Sequence, residues 1–291
     1  MKKSFTLIEI LVVIVVIGIL SAFIIVGMSS ISNSANIAKG QAFSNSLRNS
    51  LLLNLISEWK FNESSGTTAS DSWGINNGTL SGAVIPLIQT SGCVSNNCLS
   101  FNGSSSYVDC GNNVSLDVTA SFTIEMWIKR NAVSVEMLSL LRRDSGDDYA
   151  LFSNAGQTSV CVRFKDTLSA HHLGTVVTVP TGQWSHLVGL YDGRYLKFYL
   201  NGVMGSSNDI GSFTVAAGTN NLIIGRNDYN SNRIFNGLMD EVRVYSAAIS
   251  SSQIKNNYFI GLSKLYKNNG ITLNEFDQRI VELKINMSEN E

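Results

Sequence analysis

The chain has 291 residues, a formal net charge of −1, only 15% charged residues, 24 glycines and two prolines. A charge this close to zero gives no reason to expect a nucleic-acid partner, because domains that bind nucleic acids are typically basic. The length accommodates an extension plus one large β domain, or two smaller domains. The richness in glycine, serine and asparagine favours short turns and polar strand faces over a helical bundle.

The N-terminus combines two lysines with a long apolar run. In residues 7–28 the only ionisable side chain is Glu9, and as a helix this stretch reaches ~33 Å, enough to cross a bilayer once. A cleaved secretory signal is the alternative, although the run is long for one and a carboxylate within it is costly. The lysines predict a cytoplasmic N-terminus and an exported remainder.

The stretch FTLIEILVVIVVIGILSA, which starts at Phe5, resembles the N-terminal segment of type IV pilins and pseudopilins. The resemblance implies that a prepilin peptidase removes the leader 1–4 by cutting between Ser4 and Phe5, and that the new amine is methylated. It further implies that Phe5 and Glu9 mediate assembly, because the Glu9 carboxylate meets the N-terminal amine of a neighbouring subunit. The family has Gly before the cut where this chain has Ser4, so an unprocessed, non-assembling membrane anchor stays open.

The predicted N-terminal helix extends beyond the membrane to residue 55. Ile31, Ala35 and Ala38 recur at helical spacing, and polar residues fill the other positions. This part resembles the second half of the long pilin helix.

From Trp59 onward the periodicity becomes that of strands. In 122–129 apolar residues alternate with mostly polar ones. The Asp-Gly and Asn-Gly pairs at 192–193 and 201–202 supply the positive φ angles of tight hairpins. About a dozen such strands predict an antiparallel sandwich or barrel.

Five blocks within residues 56–256 stand in a definite order: LISEWKFNESSGTTASDSWGINNGTLSGA, CLSFNGSSSYVDCG, SFTIEMWIK, QWSHLVGLYDGRYLKFYLNGV and FNGLMDEVRVYSAAISSSQI. They resemble a laminin-G-like domain of the concanavalin A-like superfamily. The resemblance implies a mainly β fold, a two-sheet antiparallel jelly roll, which binds a glycan or a protein surface. It also implies a calcium ion held by Asp71, Asn76 and Asp240, whose oxygen atoms suit a hard cation. The alternative is a plain turn plus an aspartate that caps a strand.

The four cysteines lie in the part of the chain that is expected to be exported, where disulfides persist. Cys93 and Cys98 in CVSNNC are spaced to close a short loop, and Cys110 and Cys161 remain as a possible second pair. Zinc is the alternative, but the sequence has no Cys-x2-Cys pair.

Catalysis is a distant alternative to binding. Glucanases need two carboxylates that face one sugar bond, and Glu125 stands alone on its predicted strand.

Tyr229, in the polar stretch RNDYNSNR, is the aromatic residue expected to be exposed for ligand binding.

Residues 257–291 are predicted to form a separate helical tail. Apolar residues recur at helical spacing up to Leu265, and a second helix restarts after Gly270. Thr272 and Glu275 have the spacing of a capping box.

The motif at the N-terminus predicts processing before Phe5. Intact-mass analysis of protein from its own host should show loss of the first four residues, with or without one methyl group. An unprocessed chain in mature filaments would contradict the subunit interpretation and favour the anchor.

Overall fold

The computed structural model describes residues 54–131, 139–143, 149–153, 159–226 and 234–288. The chain divides into two compact units, Met1–Leu53 and Asn54–Glu291, and the described residues belong to the second. The predicted helix and its membrane span lie outside the described residues, except that Leu55 already begins the first strand. Within the described residues, none of the helices has the length and apolar character needed to cross a bilayer.

Seventeen strands in the described residues form two antiparallel sheets, numbered here in chain order. The eight-stranded sheet comprises β1 (Leu55–Trp59), β4 (Leu87–Gln89), β5 (Cys98–Asn102), β7 (Phe122–Arg130), β13 (Trp184–Tyr191), β14 (Tyr195–Leu200), β15 (Val203–Asp209) and β17 (Asn236–Tyr245). The nine-stranded sheet comprises β2 (Thr68–Ala69), β3 (Gly78–Ser81), β6 (Tyr107–Asp109), β8 (Ser139–Arg143), β9 (Tyr149–Ser153), β10 (Ser159–Lys165), β11 (His171–Leu173), β12 (Val177–Thr178) and β16 (Leu222–Ile224). A 3-10 turn spans Val114–Leu116, and helices α1 (Ser251–Lys267) and α2 (Leu273–Ser288) follow the last strand.

Hairpin neighbours alternate in both sheets with strands that are distant in sequence. The eight-stranded sheet runs β15-β14-β13-β7-β17-β5-β4, with β1 also paired to β17, and the nine-stranded sheet runs β11-β10-β9-β8-β16-β6-β3-β2, with β12 beside β10. The predicted two-sheet antiparallel sandwich is confirmed. The predicted hairpins are confirmed too, since β13 pairs with β14 and β14 pairs with β15.

The main core lies between the two sheets. The inward residues of β7 pack there with Leu151 of β9 and Val162 of β10. Gly189 of β13 permits this close approach, because a Cβ at that position would lie 2.3 Å from Leu151 Cδ2. Substituting this glycine would therefore push the sheets apart.

A second apolar cluster covers part of the outer face of the eight-stranded sheet. Trp127 and Trp184 project outward there and pack against Tyr258 and Leu262 of α1 and Leu283 of α2. We call α1 and α2 the C-terminal helix pair. The helix pair explains why β7 is almost entirely buried although only one of its faces is apolar: one face meets the core, and the other meets the helices.

The helix pair differs from the separate tail that the sequence predicts. The boundary expected after residue 256 falls inside α1, because Ser250 and Gln253 form a capping box that starts this helix. At α2, Thr272 accepts the Glu275 N–H as predicted, but the Glu275 carboxylate pairs with Arg279 at 2.6 Å. Of the capping box predicted at Thr272, only the hydrogen bond to the Thr272 side chain is therefore present.

The predicted disulfide between Cys93 and Cys98 is confirmed, whereas the second pair is wrong, because Cys110 and Cys161 are free and buried. Cys161 lies on β10, and Cys110 directly follows β6. Three strands separate β10 from β6, which places the two roughly 19 Å apart at about 4.8 Å per step. A disulfide allows at most about 7 Å between Cα atoms.

Denatured, unreduced protein should therefore titrate with two thiols per chain. The native protein should react with few or none at pH 8, because Cys110 and Cys161 are buried and burial raises the pKa of the Cys161 thiol to about 12. A thiol reagent such as Ellman's reagent gives both counts. Zero thiols after denaturation would restore the second disulfide, and four would remove the first.

Candidate functional site

Part of the sequence-predicted site falls where the structure gives no description. Ser4, Phe5 and Glu9, assigned to processing and assembly, and Tyr229, assigned to ligand binding, all lie outside the described residues. Their roles stay predictions.

The Asp71 carboxylate is surrounded by backbone N–H groups. Its Oδ1 accepts from Glu58 at 3.0 Å, Trp73 at 3.1 Å and Gly74 at 2.8 Å, and its Oδ2 accepts from Asn76 at 3.0 Å. Four donors shape the turn at 71–76 and join it to β1. The carboxylate therefore has a structural role that needs no metal ion.

The other two predicted calcium ligands have partners of their own. The Asn76 amide donates to Ser57 Oγ at 2.7 Å and to Ser115 Oγ at 3.0 Å. Asp240 is fully buried and accepts N–H groups from Ser95 and Glu241, each at 2.8 Å. Burial, together with the neighbouring Glu241 carboxylate, raises the pKa of Asp240 well above its usual range.

Asp71 and Asp240 thus accept hydrogen bonds from different parts of the chain. The donors to Asp71 lie on β1 and in the turn after Asp71, whereas Asp240 accepts from the 93–98 region. Among the described residues, no cluster of three or more His, Cys, Asp or Glu side chains is arranged for a metal ion. Calcium stays a prediction from the resemblance.

Beneath α1 lies a buried polar network that sequence reasoning missed. Glu125 of β7 has no exposed side-chain surface, and His186 Nε2 lies 2.8 Å from its Oε1. Its Oε2 accepts Tyr245 Oη–H at 2.8 Å and Asn257 Nδ2–H at 3.1 Å. Because an ionised carboxylate only accepts hydrogen bonds, His186 Nε2 is the donor to Glu125, and Nδ1 has no hydrogen-bond partner in the described part of the chain.

Arg243 of β17 supplies the counter-charge. Its guanidinium lies 3.7 Å from Glu125 Oε1, donates to Glu58 Oε1 at 2.8 Å and pairs with Glu241, which also binds Lys264 at 3.1 Å. Burial opposes ionisation of Glu125, but Arg243 and the hydrogen bonds from His186 and Tyr245 outweigh it and lower the pKa to about 2.

Glu58 follows the same rule: burial opposes its ionisation, and the charge and hydrogen bond of Arg243 prevail, which lowers the pKa to about 2. A glycosidase acid needs a carboxyl whose pKa is raised. The pKa values of Glu58 and Glu125 are lowered instead, so both carboxylates are ionised at neutral pH. The geometry of this network therefore suits stabilisation of the helix-covered face.

The outer face of the nine-stranded sheet has a different character. Because Val108 points into the core, Tyr107 and Asp109 of β6 point outward, and both are half-buried. The Arg226 guanidinium lies 3.5 Å above the Tyr107 ring, and Asn221 donates to the Asp109 carboxylate at 2.9 Å. This arrangement places a cation, a ring, an amide and a carboxylate together at the surface.

A second stacked pair lies farther along the same face. On β10 the residues Val160 and Val162 point into the core, so Arg163 points outward, and its guanidinium lies 4.7 Å from the Phe152 ring. The sequence offered one signal for both pairs, since strand alternation assigns Tyr107 and Arg163 to outward positions. It offered none for the stacking, which joins strands that are distant in the chain.

Comparisons with known proteins agree with the fold. A model described as the prokaryotic N-terminal methylation motif matches residues 1–25. A laminin G model described as the concanavalin A-like lectin/glucanases superfamily matches residues 102–255, more than half of the chain. No curated protein sequence matches this chain.

Three solved structures show the same sandwich. The binding domain of Paraclostridial Mosquitocidal Protein 1 is 16% identical, with a TM-score of 0.58 over 73% of this chain and 53% of that one. The Botulinum neurotoxin serotype G binding domain is 13% identical, with a TM-score of 0.57 over 72% and 52%. Domain 4 of an extracellular arabinanase from Geobacillus stearothermophilus, solved with arabinotriose, is 19% identical, with a TM-score of 0.50 over 70% and 97%. This chain spans about half the length of the two toxin domains, and at these identities the likeness shows the fold alone.

Glu125→Gln should lower the free energy of unfolding by about 2–4 kcal/mol at pH 7, because a buried ion pair is broken. The pKa of Glu125 lies near 4.5 when unfolded and at about 2 when folded. Its stabilisation is therefore complete above pH 4.5 and is lost as the pH falls towards 2. Urea unfolding at pH 7 and pH 3 should show that the gap between wild type and variant narrows at pH 3.

Asp209→Asn is the matched control. Asp209 lies on β15, and its ion pair with Arg194 is exposed to solvent. Little change is expected for it at either pH. A gap between wild type and Glu125→Gln that is as wide at pH 3 as at pH 7 would contradict an ionised Glu125.

Proposed function

This chain belongs to the concanavalin A-like lectin/glucanases superfamily and carries the prokaryotic N-terminal methylation motif, and on that basis we propose that it is a pilin- or pseudopilin-like subunit of a surface filament with a binding head. The N-terminal segment holds the subunit in the membrane, and a prepilin peptidase cuts it before Phe5. The carboxylate of Glu9 then pairs with the terminal amine of an identical or related subunit, and the head stays outside the cytoplasm.

One observation supports the position of the binding surface. The C-terminal helix pair buries the part of the outer face of the eight-stranded sheet that carries Trp127 and Trp184. The opposite outer face carries Tyr107 with Arg226 stacked on it, half-buried and next to Asp109. We therefore place the ligand on the outer face of the nine-stranded sheet.

A glycan fits the chemistry of this face better than an apolar ligand does. The Arg226 guanidinium supplies several N–H donors, and the Asp109 carboxylate and Asn221 amide supply acceptors for hydroxyl groups. The Tyr107 ring holds the guanidinium in one orientation. The arabinotriose bound to the arabinanase domain makes short oligosaccharides a reasonable first probe.

Two finer points stay open to experiment. Ser4 in place of the family's Gly favours, as a second candidate, a membrane-anchored adhesin that does not assemble. Calcium bound through Asp71, Asn76 and Asp240 is proposed as support for the head, and melting with calcium and with chelator tests it. A calcium ion would raise the melting temperature by mass action.

Tyr107→Ala should weaken binding of the full-length protein to its best ligand on a glycan array about tenfold. Loss of the ring frees the Arg226 guanidinium, and such a contact is worth about 1–2 kcal/mol. Titration of that oligosaccharide against wild type and variant measures the change in Kd.

Tyr195→Ala is the matched control. Tyr195 of β14 is also half-buried and also has cations near its ring, Arg194 at 5.5 Å and Lys197 at 5.3 Å, but it belongs to the other sheet. The Kd of the Tyr195→Ala variant for the same oligosaccharide should stay within about twofold of wild type. An equal loss in both variants would contradict the proposed face, and a clean array would remove the glycan and leave a protein surface as ligand.

A further inference from the structure

The loop closed by the disulfide, residues 93–98, contacts more of the molecule than its length suggests. We call it the disulfide loop. Cys93, Val94 and Cys98 are fully buried and belong to the apolar cluster that also contains Trp184. The Trp184 indole donates to the Gly92 carbonyl at 2.7 Å. The loop therefore covers part of the same sheet face as the C-terminal helix pair.

One side of the disulfide loop holds the end of α1. Asn268 directly follows the last residue of α1, and its side-chain amide donates to the carbonyls of Ser95 at 2.7 Å and Val94 at 3.2 Å. Both acceptors are backbone atoms inside the closed ring. The Cys93–Cys98 bond closes the ring of six residues that contains both carbonyls, and it restricts the conformations open to them.

The other side of the loop is attached to the sandwich. Ser95 N–H donates to the buried Asp240 carboxylate of β17 at 2.8 Å, and Asn97 N–H donates to Asn62 Oδ1 at 3.0 Å. Asn97 Nδ2 further donates to the Glu63 carbonyl at 2.9 Å. The disulfide loop thus bridges the sandwich and the start of the connection between α1 and α2.

The connection between the helices depends on the same corner. Ile271 and Leu265 are buried in the cluster with Cys93 and Cys98, and Gly270 N–H bonds to the Leu265 carbonyl at 2.8 Å. A change in the loop would reach both helices, because α2 follows this turn directly.

We propose that the Cys93–Cys98 disulfide is a redox-sensitive lock that keeps the C-terminal helix pair docked on the eight-stranded sheet. With the disulfide formed, the loop presents the two carbonyls that hold Asn268. With the disulfide reduced, the loop loses this shape, the helix pair opens locally, and Trp127 and Trp184 gain contact with water. The two-sheet sandwich itself does not depend on the lock, because its main core lies on the other side of the sheet.

The chemical step is thiol–disulfide exchange with a dithiol. Because Cys93 and Cys98 are buried, a reductant thiolate reaches one sulfur of the bond only when the loop opens transiently. The attack forms a mixed disulfide and releases the other cysteine as a thiolate, which takes up a proton. The second reductant thiol then closes on the mixed disulfide and releases the remaining cysteine. Two electrons pass to the protein, two thiols form, and the dithiol becomes a cyclic disulfide. Cys110 and Cys161 are free, so this bond is the target among the four cysteines.

The test is hydrogen–deuterium exchange of the full-length protein before and after treatment with dithiothreitol. Amides of α1 and α2 should exchange about tenfold faster after reduction, while those of β13 and β14 should keep their rates. Intrinsic tryptophan fluorescence should shift to longer wavelength in parallel. Unchanged rates in the helices would overturn the proposal, and so would an equal acceleration in the helices and the strands.

Two variants separate the lock from general loss of stability. Cys93→Ala/Cys98→Ala should show the fast helix exchange without reductant and should not respond to dithiothreitol. Asn268→Ala keeps the disulfide but removes its hold on α1, so helix exchange should rise in the oxidised state. Asn274→Ala, on the exposed side of α2, is the matched control and should behave as wild type. A response to dithiothreitol in the double variant, or a slow helix in Asn268→Ala, would overturn the proposal.

Discussion

The carboxylate of Glu125 has no exposed surface, and its need for partners organises the layer outside the eight-stranded sheet. It takes a proton donor from each neighbouring strand, His186 on β13 and Tyr245 on β17, and a third from α1, Asn257. Arg243 balances its charge. A buried charge with any of these groups missing would be costly, so the network sets which turn of α1 faces the sheet. This one acidic residue therefore constrains the position and rotation of α1.

Apolar packing then completes what the network starts. Tyr258, the residue after Asn257, stacks on Trp127 with ring centroids 5.6 Å apart. Gly261, one turn later, lets the helix approach so closely that a Cβ there would lie 2.5 Å from the Trp127 ring. Trp127 and Trp184 are consequently part of a helix interface. The buried network thus accounts for two large aromatic side chains of this sheet, and the proposed binding face lies on the opposite sheet.

Sequence patterns suffice where a feature depends on residues that are close together in the chain. Two cysteines five residues apart close a loop whatever the rest of the chain does, so Cys93 and Cys98 were predictable. The pairing of Cys110 with Cys161 depended on the order of strands in a sheet, which spacing does not encode. Asp71 marked a structured loop correctly, but the four N–H groups around it are backbone donors that no residue pattern reveals.

The sequence by itself determined the strand alternation of β7, the hairpins at Asp192-Gly193 and Asn201-Gly202, and the two families to which the segments belong, because these depend on local periodicity and turn chemistry. It also indicated two C-terminal helices. Only the tertiary structure decided that these helices cover a sheet face, that Glu125 lies beneath them, and that Arg226 stacks on Tyr107. The physical reason is the same in each case: the partners are far apart in the chain, and the packing of whole elements brings them together.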